Sequence, residues 1–179
     1  MKKRAAVYSL FATAVTIGSL ALGAAPASAS IHNTPGYVHI VNSRSGKCID
    51  LSYPDDSHST DFAQQWRCLN TPFEEWQFVE LWDNTAYQIV NHQTGECLAI
   101  EEAYTDGAPV LLEPCGLAPD NVPQSQVWGR NPNLNPFVLS ARWLTDWCLD
   151  LENGDSSDGV PMQVWECNWD TSNQRWRQL

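Results

Sequence analysis

Asp150, Gln163 and Trp165 place a carboxylate, an amide and an aromatic ring in two neighbouring stretches of alternating sequence. Cys148-Leu149-Asp150-Leu151 reads as a strand, with Leu149 and Leu151 on the core face and Cys148 and Asp150 on the other. In Met162-Gln163-Val164-Trp165-Glu166-Cys167, Met162 and Val164 form the core set, and Gln163, Trp165 and Cys167 share the opposite face. If the strands are antiparallel and the two cysteines stand directly opposite each other, Asp150 lies straight across from Trp165, with Cβ atoms about 5 Å apart. A carboxylate beside an aromatic face suits a pyranose, whose C–H face stacks on the ring while its hydroxyls donate to the carboxylate. The plain alternative is an exposed strand tryptophan beside a solvated aspartate.

The elements that must position this group repeat three times. Ile40-Val41-Asn42 stands before Gly46 and Cys48, and Ile89-Val90-Asn91 stands before Gly95 and Cys97, 49 residues on. A third copy leads to Cys148, with Val138-Leu139 as its apolar strand and Asp146 in the glycine place, where a left-handed turn is expected. Each copy has a second cysteine 18 to 20 residues after the first and ends in Trp76, Trp128 or Trp176. Six cysteines allow 15 pairings. The repeat favours Cys48–Cys68, Cys97–Cys115 and Cys148–Cys167, each worth about 3 kcal/mol for loops of this length. Short apolar stretches (Tyr37–Val41, Gln88–Val90, Val110–Leu112 and Phe137–Leu139) alternate with Gly, Pro, Asn, Asp and Ser. About four strands per copy predict a twelve-stranded, threefold, all-β domain closed against exposed edges.

Cys148-Leu149-Asp150-Leu151, Asp158-Gly159, Gln163-x-Trp165-x-Cys167 and Asn173-Gln174-x-Trp176 together resemble the repeat of the ricin B-type lectins, also classed as a carbohydrate-binding module. The resemblance spans residues 37–179 and implies a β-trefoil with repeats over about 37–82, 83–131 and 132–179. It also implies roles. Asp150 binds two sugar hydroxyls, Trp165 is the stacking platform, Asn173 donates to a hydroxyl, Gln174 supports the aspartate and the turn, and Gln163 adds a polar contact. Trp176 and its two counterparts belong to the core. The first repeat keeps Asp50, Gln64 and Trp66, but Phe73 and Glu74 stand where Asn and Gln are expected, so its site is expected to be weaker or altered. The second keeps Gln126-Val127-Trp128 but has Ala99 and Glu113 at the pocket positions and reads as structural. Galactosides and xylan- or arabinan-type polymers are the ligands the resemblance suggests. A protein-binding β-trefoil, such as an inhibitor or a toxin's receptor-binding subunit, is the alternative, because one fold hosts many functions. Trp169 is placed to flank the third site or simply to pack, and Trp82 and Trp143 would mark a partner surface if exposed.

The start of the chain bears on where the domain works. Lys2, Lys3 and Arg4, an apolar run to about Ala25, and Ala27-Ser28-Ala29 follow the order of a secretory signal peptide, with cleavage expected after Ala29. Residues 30–36 then form a short N-terminal segment, and the protein is expected outside the cell, where six cysteines oxidise. No later stretch approaches the ~18 apolar residues of a membrane span. Without the three leader cations the formal net charge of −11 becomes −14. Such a surface repels nucleic acid and anionic lipid. Metal and cofactor signatures are missing: His32, His39, His58 and His92 are scattered, and the acidic loop after Asp150 fails the calcium-loop spacing. The acidic pairs Asp55/Asp56, Glu101/Glu102 and Asp155/Asp158 sit in loops, where solvated charge is the default over glycosidase chemistry, so no enzyme is expected.

Overall fold

The computed structural model describes residues 33–52, 62–82, 84–101, 105–117 and 121–179. The signal-peptide reading, residues 30–32 of the N-terminal segment with His32, and Asp55, Asp56, His58 and Glu102 lie outside the described residues.

Twelve strands are found among the described residues, four to each repeat. They are β1 (Val38–Asn42), β2 (Cys48–Ser52), β3 (Phe62–Trp66), β4 (Glu75–Glu80), β5 (Ala86–Asn91), β6 (Cys97–Ile100), β7 (Ala108–Glu113), β8 (Trp128–Gly129), β9 (Ser140–Ala141), β10 (Leu144–Leu151), β11 (Val160–Glu166) and β12 (Trp176–Gln178). Strands β1, β4, β5, β8, β9 and β12 pair around a barrel, and a Phe137–Trp176 bridge completes the ring beside β9. The hairpins β2–β3, β6–β7 and β10–β11 meet at one end, where β3, β7 and β11 pair with one another. Every strand edge in this cap therefore finds a neighbour, as a closed sheet requires.

The threefold order is visible in the core. Trp76, Trp128 and Trp176 are fully buried, and each indole nitrogen donates to the carbonyl just after a first cysteine: Ile49 (3.0 Å), Leu98 (2.8 Å) and Leu149 (3.1 Å). Burying a ring of this size is favourable only if its N–H finds such an acceptor. Ile49, Leu51, Leu98, Ile100, Leu149 and Leu151 fill the space around them, which confirms the alternation read from the sequence. The disulfides are Cys48–Cys68, Cys97–Cys115 and Cys148–Cys167, one per repeat.

The repeats also interlock. The residue paired with the final tryptophan of the preceding repeat is Asn42, Asn91 or Ala141. Asn42 donates from Nδ2 to the Asn173 carbonyl, and Asn91 to the Phe73 carbonyl, each at 2.9 Å. Ala141 has no amide with which to do the same for the second repeat.

Two expectations need correcting. Phe137–Leu139 is not a strand: Phe137 forms a single bridge to Trp176, and β9 begins only at Ser140. Asp146 does not replace the left-handed glycines. Gly46 and Gly95 turn at φ 71° and 72°, whereas the third hairpin turns earlier, at Arg142-Trp143, and Asp146 lies inside β10. The longer β10 absorbs the change through a register shift against β9 between Leu144 and Cys148.

Candidate functional site

The third repeat gathers its predicted residues into one cleft of about 590 Å³, lined by Asp150, Gln163, Trp165, Asn173 and Gln174 together with Asn153, Asn168, Trp169 and others. The register that brings them there differs from the expected one. Asp150 faces Gln163, and Trp165 faces Cys148. The same two-residue offset recurs in the other repeats, where Asp50 faces Gln64 and Ala99 faces Leu111. The cysteines are not directly opposite. Cys167 lies just past the end of β11, its N–H donating to the Asp146 carbonyl at 2.7 Å, and the disulfide crosses on the diagonal. A shift of two leaves every side chain on its original face. Trp165 thus stays on the same side as Asp150, one step farther along the strand.

Asp150 is almost completely buried, and its Oδ2 accepts from Gln163 Nε2 at 3.0 Å. Burial pushes its carboxyl up from the ordinary carboxylate range, and hydrogen bonds from the Gln163 and Gln174 side chains pull it part of the way back. Trp165 remains 45% exposed, so its ring is available to a ligand. Its edge is flanked by the second repeat's hairpin loop, where a Cβ on Gly107 would lie 3.8 Å from both Trp165 and Gln163.

Gln174 ties the turn together. Its Oε1 accepts from Asn168 N–H (2.7 Å) and its Nε2 donates to the Glu166 carbonyl (3.0 Å). Thr171 caps the same turn by accepting from Asn173 N–H. Gly154 then packs against Asn173: a Cβ there would sit 2.6 Å from Asn173 Oδ1, and the φ of 61° also favours glycine. Arg44 Nε holds this loop by donating to the Gly154 carbonyl at 2.7 Å. Neither Gly154 nor Arg44 was singled out by sequence reasoning. Asp150-to-Gly159 spacing marked the loop, but nothing local linked it to a residue 110 positions away.

Trp169, left open between flanking and packing, is 58% exposed and lines the cleft. Trp82 and Trp143 are also about half exposed, and their rings meet edge to face at 5.7 Å.

The first repeat copies half of this arrangement. Gln64 Nε2 donates to Asp50 Oδ2 at 3.0 Å, as Gln163 does to Asp150. Glu74 takes the place of Gln174 and accepts from Leu69 N–H and Asn70 N–H at 2.8–2.9 Å, but it has no amide to donate. It is fully buried, 3.7 Å from His39 Nε2, which is also buried and without a hydrogen-bond partner. Burial pushes Glu74 up, and the nearby Asp50 adds to the shift; Asp50 itself is raised by burial. Phe73 replaces Asn173. In the second repeat Ala99 and Leu111 replace the aspartate–glutamine pair and Glu113, facing Cys97, stands in the place of Trp165, although Gln126 still holds its turn through Gly116 N–H (2.9 Å) and the Pro114 carbonyl (2.9 Å).

Other ligand chemistries find little support in these contacts. His39, Cys48 and Glu74 lie close enough together to suggest a metal, but the Cys48 sulfur is committed to a disulfide. Asp158 pairs with Lys47 (2.6 Å) and Arg67 (3.1 Å), and Asp155 caps Ser157 N–H (2.8 Å), so this acidic pair is engaged in holding its loop.

A threefold β-barrel carrying an aromatic ring, a buried carboxylate and amides in one cleft defines a sugar-binding type of domain. The sequence profile described as "Ricin-type beta-trefoil lectin domain" matches residues 36–176, and the chain belongs to that family. No curated protein matches it. Among solved structures it is similar to a designed threefold-symmetric protein, ThreeFoil (27% identity, TM-score 0.67, covering 80% of this chain and 98% of that one). It is also similar to a Macrolepiota procera ricin B-like lectin in complex with lactose (23% identity, TM-score 0.64, 83% and 98%). A third similar structure is an exo-β-1,3-galactanase from Clostridium thermocellum (21% identity, TM-score 0.66), of which this chain covers 31% while 84% of this chain is matched.

Proposed function

We propose that this is a secreted carbohydrate-binding protein without catalytic activity, and that its principal sugar site is the third-repeat cleft. The observation that carries the reading is the convergence of buried Asp150, part-exposed Trp165 and the amides of Gln163 and Asn173 on one cavity. A pyranose stacks its C–H face on Trp165, and two adjacent hydroxyls donate to the Asp150 carboxylate. Gln163 orients that carboxylate before the sugar arrives, so little ordering cost remains to be met on binding.

Galactosides, or xylan- and arabinan-type glycans, are the proposed ligands; the lactose bound by the Macrolepiota lectin supports the first. One site of this kind is weak, about −4 kcal/mol at millimolar affinity. The first repeat, with Asp50, Gln64 and Trp66, supplies at most a poorer second site. The exposed Trp82–Trp143 pair favours one other reading, a protein partner held on that face.

A glycan array on residues 30–179, with Asp150→Ala and Asp150→Asn beside it, tests the proposal. Binding to a galactoside or pentosan set that disappears in both variants, with unchanged melting temperature, is expected. Absence of binding across the array at millimolar-sensitive protein concentration would overturn it and leave the protein partner in front.

A further inference from the structure

A second cleft, of about 480 Å³, opens beside the first and shares Trp169 with it. Its character is different. Arg130, Arg142 and Arg175 all line it, with Asn84, Asn131, Asn133 and Ser140 adding neutral polar groups. The chain has ten lysines and arginines, three of them at positions 2–4, so this one cleft holds three of the seven that follow. No carboxylate lines it among the described residues. In a protein of net charge −11, such a concentration of positive charge is a local reversal of the prevailing field.

Packing accounts for part of the arrangement. The Arg130 guanidinium lies over the Phe78 and Phe137 rings, 4.6 and 4.0 Å from their centroids, and Arg175 donates from Nη2 to the Trp169 carbonyl. These contacts fix where the Arg130 and Arg175 guanidinium groups sit, and neither is a contact with a carboxylate. Arg130 Nε is buried without any hydrogen-bond partner, a donor left over after folding. Arg175 ties the two clefts together mechanically, because the carbonyl it holds belongs to the tryptophan that stands between them.

We propose that the two clefts form one extended groove, in which a glycan with a sugar in the third-repeat cleft crosses Trp169 and places an anionic substituent among Arg130, Arg142 and Arg175. The substituent is a uronic-acid carboxylate or a sulfate ester, since guanidinium groups match both through paired N–H donors. Trp169, more than half exposed, offers the stacking surface for the intervening sugar. This inference rests on the third-repeat cleft being the sugar site.

Titration calorimetry on the mature protein with three versions of one oligosaccharide that it binds (neutral, uronic-acid-bearing and sulfated) provides the test. The acidic forms are expected to bind on the order of tenfold more tightly than the neutral one. In Arg142→Gln, and in Arg130→Gln checked for an unchanged fold by near-UV circular dichroism, that advantage falls to near unity while affinity for the neutral form holds. The two acidic arms identify which substituent the cleft prefers. Equal affinity for all three forms in the wild type, or an advantage that survives in the Arg130→Gln/Arg142→Gln double variant, would overturn the proposal while leaving the third-repeat site standing. Loss of all three in Asp150→Ala is expected. Binding of the neutral form that persists in Asp150→Ala would instead overturn the site reading, and the groove with it.

Discussion

The first and third repeats carry the same aspartate–glutamine pair at the same 3.0 Å, yet only one of them surrounds it with a complete site. The difference lies in the turn that follows the second cysteine. Gln174 can accept from the turn and donate to the chain in the same contact, while Glu74 can only accept unless it carries a proton. One atom's exchange, nitrogen for oxygen, converts a supporting group into a second buried carboxylate near Asp50. A site of this type therefore depends on residues that never touch the ligand as much as on those that do.

The largest expected effect breaks the third repeat alone. Asp150→Ala removes the acceptor and lowers sugar affinity by at least about 100-fold, close to 3 kcal/mol, whereas Asp50→Ala changes total binding little; calorimetry on both variants checks this. Trp165→Ala costs about tenfold, and Trp66→Ala much less, measured the same way.

Restoring the first repeat sharpens the contrast from the other side. Phe73→Asn/Glu74→Gln supplies the missing amides, and the binding stoichiometry is expected to rise from one toward two, with avidity for polymeric glycans appearing in a multivalent assay.

Glu74→Gln alone gives the smallest effect. Glu74 and Asp50 are both raised in the folded state by burial, so folding binds extra protons there. Their contribution to stability is fully present below the unfolded carboxylate range and is lost as pH rises through the folded values. The variant should gain about 1 kcal/mol at neutral pH, a rise of about 2–4 °C in melting temperature, and lose part of the wild type's acid-side advantage. Sugar binding runs the opposite way: protonation of the raised Asp150 removes its charge, so affinity declines as pH falls into that range.

What was legible beforehand followed from period and alternation. The three copies, their disulfides and the shared face of Asp150, Gln163 and Trp165 depend on spacing and alternation, which are written in one sequence; the parts of Asn173 and Gln174 and the burial of the final tryptophans came only from the resemblance to the ricin B-type repeat. The register was not legible, because a disulfide tolerates a diagonal as readily as a direct cross-strand pair. Asp146 misled because residue type alone does not reveal where a hairpin turns; the chain had already reversed at Arg142-Trp143. The arginine cleft lay further out of reach, since positions 130, 142 and 175 have no periodic relation and meet only through the barrel.

Asn42 gives the first repeat a hold on the third. Its amide secures the Asn173 carbonyl, so the turn that frames the third-repeat cleft cannot loosen without disturbing a strand more than 130 positions earlier. In amide hydrogen exchange the two should act as one opening unit, with a bound sugar slowing exchange in β1 as well as around Asn173. The turn before Trp128, next to Ala141, has no such tether and should exchange faster, indifferent to ligand. Binding at one edge of the barrel would then be recorded as protection on the opposite side of the chain's own sequence.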